Sequence, residues 1–105
     1  MEQGELALEL KEFAPPAEPM EVSSLEPAAG WRFLRLPPRW VGEWHPTPAR
    51  LWIFCLAGEM EFEASDGAVQ RVVPGSAMRL EDTTGKGHHS RVVGDGFALL
   101  AAVQL

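Results

Sequence analysis

The chain predicts an all-β domain, a small antiparallel β-barrel or jelly roll, and three observations predict it. Glu59-Met60-Glu61-Phe62-Glu63 alternates strictly, the period of a strand with one buried and one wet face. Asp66-Gly67 follows, a dipeptide that readily supplies the positive φ angles of a tight hairpin turn. From Trp31 to Leu105 short apolar segments recur between Pro and Gly turn signals, and none carries a helical period or an internal repeat.

Taken in order, residues 1–30 read as an N-terminal arm or an edge strand, and residues 31–105 as the barrel. Leu6, Leu8 and Leu10 alternate in favour of a short strand, after which Pro15, Pro16 and Pro19 interrupt any helix. Trp31 to Leu36 is a strand stopped by Pro37-Pro38, and Trp40 to His45 is an extended piece closed by Pro46 and Pro48. Leu51 to Leu56 is nearly continuously apolar, as in a strand covered on both faces. Ala57-Gly58 marks a kink before the alternating hairpin strand. Val69 to Val73 returns from the Asp66-Gly67 turn, and Pro74-Gly75 turns the chain again. Further strands are expected at Ala77 to Leu80, His89 to Val93 and Phe97 to Val103.

Composition narrows the function. With 105 residues and 46% hydrophobic content, the chain supports one domain with one core. A net charge of -6 without clustered Lys or Arg argues against nucleic acid as a partner. A single cysteine, Cys55, excludes an internal disulfide and fits a reducing, cytoplasmic setting. No apolar run is long enough for a membrane span, so no membrane partner is expected.

The stretch Gly58 to Phe62, then Asp66-Gly67, then Pro74-Gly75-Ser76 resembles the central hairpin of the cupin superfamily. Trp44-His45-Pro46-Thr47-Pro48-Ala49-Arg50 and Glu81 to His88 resemble the WHxxPxR and EDTTGKGH runs of one subgroup of small single-domain cupins. The resemblance covers residues 31–105 and implies a cupin-type barrel. In metal-binding cupins two histidines one residue apart, then a carboxylate, precede the hairpin glycine, and a third histidine comes from a second motif. Alternate residues of a strand share one side, so such a pair can hold one ion. On that pattern His45 takes the first position and His88 the third, while Thr47 and Leu51 stand where a histidine and the carboxylate are expected. The resemblance therefore implies an incomplete metal site at His45 and His88, for which Fe, Mn, Ni or Zn are the candidate ions. Two imidazoles without an anionic ligand make a weak site for iron or manganese. Glu43, Glu81, Asp82 or His89 could complete it, with at most one of the adjacent Glu81 and Asp82 turned inward.

Other candidates are weaker. Cys55 lies in the apolar core strand with no cation adjacent in sequence, which favours inert packing. Thr84-Gly85-Lys86-Gly87 lacks the first glycine and the helix of a phosphate loop. His89, beside His88, is expected at the surface. If His45, Thr47, Leu51, Ile53 and Cys55 face inward, Trp52 and Phe54 face outward as an apolar patch that invites cover from the N-terminal arm or from a second copy, hence a homodimer. Together these readings give a module that binds a small organic ligand in a pocket bearing His45, Thr47, Arg50, Leu51 and His88. The alternatives are a metal-dependent dioxygenase or an isomerase-type enzyme, and a structural or regulatory homodimer with a closed barrel.

Overall fold

Alternation along each strand decides which residues meet in the middle of the molecule. The computed structural model describes residues 9–13 and 19–105. Ten strands appear in them: β1 (Lys11–Phe13), β2 (Met20–Val22), β3 (Gly30–Leu36), β4 (Val41–His45), β5 (Leu51–Ala57), β6 (Met60–Ala64), β7 (Val69–Val72), β8 (Ala77–Leu80), β9 (His88–Val92) and β10 (Ala98–Gln104). β1 and β2 form a two-stranded antiparallel sheet of their own. The alternation at Leu6 and Leu8 lies outside the described residues, whereas Leu10 is exposed and precedes β1.

The remaining strands form two four-stranded antiparallel sheets, one ordered β3-β10-β5-β8 and the other β4-β9-β6-β7. This is an all-β jelly-roll architecture. In the first sheet the inward rows run Gly30, Gln104, Leu51, Leu80 and then Arg32, Ala102, Ile53, Met78. The second sheet answers with Met60, Phe62, Ser90 and Val92. The fully buried Met60, Met78 and Val72, with Leu80 and Cys55, fill the core. Leu34, Leu36, Trp40 and Leu51 pack against its rim. Cys55 accordingly serves as packing; burial pushes its thiol up, away from the reactive thiolate.

The two outer faces differ in kind. On the second sheet Arg71 pairs with Glu59 and Glu61, Arg91 pairs with Glu61, and His89 meets Glu63 at 2.9 Å. On the first sheet the outward rows are Trp31, Val103, Trp52 and Phe33, Ala101, Phe54. Trp31 and Phe33 meet edge to face at 5.2 Å, and Trp52 stacks with Phe54 at 6.0 Å. The outward direction expected for Trp52 and Phe54 is thus what the register gives, and β3 enlarges the patch.

Gly58 ends β5 at φ 77°, and a Cβ there would strike the Phe97 carbonyl and the Ala98 backbone. Gly67 also has positive φ, 88°, but faces open space. Gly58→Ala should therefore cost more than the ~1–2 kcal/mol of left-handed strain alone, and Gly67→Ala only that strain. Urea denaturation of both variants measures the difference; equal losses would mean that the β5 exit is not sterically fixed.

Candidate functional site

Two loops and two strand ends converge at one end of the sandwich. β4 ends with His45 and β9 begins with His88, and the antiparallel register sets the two residues opposite each other. Their ring centroids lie 5.0 Å apart. Gly87, at φ 74°, lets the chain pass so close to β4 that a Cβ would meet the His45 carbonyl oxygen. A bulkier residue would displace His88 from His45.

Each imidazole is held by one nitrogen. The His45 Nδ1–H donates to the Glu43 carbonyl at 2.6 Å. The His88 Nδ1–H donates to Asp82 Oδ2 at 2.9 Å. Because a carbonyl and a carboxylate can only accept, both rings carry the Nδ1 proton in these contacts, and Nε2 is left for other partners. The other Asp82 oxygen accepts from the Thr47 hydroxyl at 2.9 Å, and the Thr47 amide donates to the Asp82 carbonyl at 3.0 Å. Asp82 thus clasps the loop after β4 to the loop before β9 and orients His88 between them. Burial pushes its carboxyl up, but the hydrogen bonds from His88 and Thr47 outweigh that effect and hold it below the ordinary carboxylate range.

Between the sheets, on the side of β3 and β4, lies a cavity of about 660 Å³. Leu34, Trp40, Leu51, Met60, Phe62 and Leu100 are among the apolar residues of its wall. Its polar side chains are His45, His88, Ser90, Arg32 and Gln104. The Phe62 ring lies 5.7 Å from that of His88, so the apolar and polar walls adjoin.

Of the residues that the sequence brings forward, His45, Leu51 and His88 line this cavity together. Thr47 does not line it: the residue is 2% exposed and its hydroxyl is spent on Asp82. Arg50 points to the outer face, where it donates to Glu81 at 2.6 Å beside Trp52 and Arg79. His89 turns outward onto Trp44, whose ring also carries the Lys86 ammonium at 3.9 Å. Sequence reasoning missed Arg32 and the role of Asp82. Arg32 shares strand parity with the apolar Leu34 and Leu36, which was the available signal.

The donor set does not fit a tightly held iron or manganese ion. Asp82 sits on the Nδ1 side of His88 and is satisfied by two donors, Leu51 offers no ligand atom, and the Thr47 oxygen is engaged. Among the described residues no group of three or more His, Cys, Asp or Glu side chains could hold a metal. Among them also no helix is long and apolar enough to cross a membrane.

No protein-family model matches the chain. No curated protein matches it either. Solved structures do. Drosophila melanogaster CENP-C, solved bound to CAL1, is 13% identical, with a TM-score of 0.62 over 97% of this chain and 85% of that one. A sugar phosphate isomerase of the cupin superfamily from Silicibacter pomeroyi is 18% identical, with a TM-score of 0.56 over 72% of this chain and 50% of that one. A cupin domain from Bordetella pertussis is 12% identical, with a TM-score of 0.55 over 96% of this chain and 97% of that one. At such identities the likeness speaks to fold alone, and the fold is that of a small cupin-type domain.

Because the folded Asp82 carboxyl titrates below its unfolded counterpart, it stabilises the fold above the unfolded value of ~3.9. That contribution is lost as pH falls through the lower folded value. Asp82→Asn should be less stable than wild type at pH 7 by about 1–3 kcal/mol, and the gap should close in acid. Urea midpoints at pH 7 and below pH ~3 check this; a gap unchanged by pH would remove the charge from the clasp.

Proposed function

We propose that the protein binds a small organic ligand in the cavity between its sheets, with His45 and His88 as the polar end of the site. The cavity carries this reading. Its volume of about 660 Å³ falls in the range of small-molecule sites, ~300–1,000 Å³, and its wall is apolar with a few convergent polar groups. The two Nε2 atoms each accept a hydrogen bond from a ligand as neutral rings or donate one as imidazolium. Leu34, Trp40 and Phe62 take up the apolar body of the ligand. The free, buried thiol fits a cytoplasmic setting.

A second reading rests on the Thr47–Asp82–His88 relay. A cavity-lining histidine oriented by a half-buried carboxylate is the arrangement of a general acid–base, and it supports a metal-free isomerase-type reaction. Exchange of a substrate proton with solvent deuterium, lost in His88→Gln, distinguishes it from binding alone.

For the outer face of the first sheet, the proposed occupant is a second copy of the chain. Trp31 and Phe33 are 69% and 61% exposed, and the central positions around them carry no charge. Isologous pairing of that face buries both aromatic patches against each other. Drosophila CENP-C binds a protein partner, CAL1, and a different protein on this face is the competing outcome.

Two measurements test these readings. The neutral probe N-phenyl-1-naphthylamine should bind at one site per chain, and Ala49→Trp at the cavity mouth should weaken it about tenfold or more through lost room. Binding that ignores Ala49→Trp would place the probe elsewhere and sink the cavity reading. In sedimentation the wild type should run as a dimer and Trp31→Ser with Phe33→Ser as a monomer; a monomeric wild type ends the dimer proposal.

A further inference from the structure

Charge is distributed unevenly between the cavity and the rest of the molecule. The chain has 15 Asp and Glu against 9 Lys and Arg. Among the described residues the cavity wall nevertheless includes Arg32, His45 and His88 and not one carboxylate. Arg32 belongs to the inward row of the first sheet, with Ala102 and Ile53 as its neighbours in register. It is exposed because β3 is the edge strand, which leaves its guanidinium at the rim of the cavity.

The other arginines are engaged. Arg39, Arg50, Arg71, Arg79 and Arg91 form ion pairs, and Arg35 lies over the Phe97 ring at 4.4 Å. Among the described residues Arg32 makes no hydrogen bond or ion pair. A guanidinium without a carboxylate partner among the described residues, beside an apolar hollow, matches the shape of one ligand chemistry.

We infer that the cavity takes an amphipathic organic monoanion, a small carboxylic acid whose carboxylate is held by Arg32 while its apolar body lies between the sheets. This rests on the cavity being a ligand site and names the ligand class. The guanidinium fork offers paired N–H donors that fit a carboxylate with two parallel hydrogen bonds, a contact no lysine reproduces. His45 and the buried His88 add donors or acceptors for a second polar group in the same cavity. On the opposite outer face Glu59, Glu61 and Glu63 already occupy Arg71, Arg91 and His89.

The test uses two probes with the same body, 2-naphthoate and 2-naphthamide, each displacing N-phenyl-1-naphthylamine from the full chain. In wild type the carboxylate should displace at a concentration about tenfold lower than the amide, the value of a charge-assisted pair at a partly open rim. Arg32→Gln should bring the carboxylate down to the level of the amide, and Arg32→Lys should keep part of the preference. The carboxylate's advantage should shrink with added salt. Equal displacement by the two probes in wild type, or a preference that survives Arg32→Gln, overturns the inference and leaves the ligand cavity standing. Failure of N-phenyl-1-naphthylamine to bind, or binding insensitive to Ala49→Trp, overturns the cavity reading and this inference with it.

Discussion

The structure depends on how unequally the shared interior of its two sheets is filled. Alternation sends every second residue inward, so both sheets contribute a full inner face. On the side of β7 and β8 those positions hold Val72, Met78 and Leu80, and the space closes. Toward β3 and β4 the inward positions include Ala102, Ser90 and Gly42, too small to reach across. Trp40 folds over Gly42, where a Cβ would meet its ring, and bounds the hollow on one side. Core and cavity are therefore two ends of one interior, separated by residue size along the same rows.

A hollow lined only by small apolar groups would lose dispersion contacts for no return. Here it is bordered by two histidines that already have structural partners. His88 is 4% exposed, and its Nδ1–H would be costly to bury without Asp82. Asp82 in turn would be costly to bury without the two donors that meet it. The clasp thus stabilises the loops and, by engaging both Asp82 oxygens and the His88 Nδ1, leaves the His88 Nε2 for other partners. Stability and site chemistry come from the same three hydrogen bonds.

Most of the fold was legible in the sequence because period-2 patterns and turn residues are local. The β5 strand, the hairpin at Asp66-Gly67 and the turn at Pro74-Gly75 follow from neighbours in the chain. The outward face of Trp52 and Phe54 followed from parity with Ile53 and Cys55. Arg50 obeys the same parity as Trp52 and so points outward, and only its nearness in sequence to His45 suggested a pocket role. Arg32 was legible in the same way through Leu34 and Leu36. The Asp82 clasp was not, because Asp82 follows β8 rather than lying in it, and strand alternation does not govern a loop. Thr47 was read as a failed metal ligand. Its actual partner lies 35 residues away, a distance that local pattern cannot span.

The pairing of a histidine couple with an unpaired edge arginine also bears on the missing metal ligands. In a site built around a cation, an inward arginine on the same wall would repel the ion, and a carboxylate would be needed to offset both charges. This chain places Leu51 where the cupin pattern has its carboxylate, and Arg32 on the wall of the same cavity. Each feature alone weakens cation binding. Together they act in one direction, because a position without an anionic ligand and an exposed guanidinium both favour negative charge nearby. On the proposed reading, Leu51 and Arg32 act in the same direction on the charge that the cavity favours, within one frame of strands.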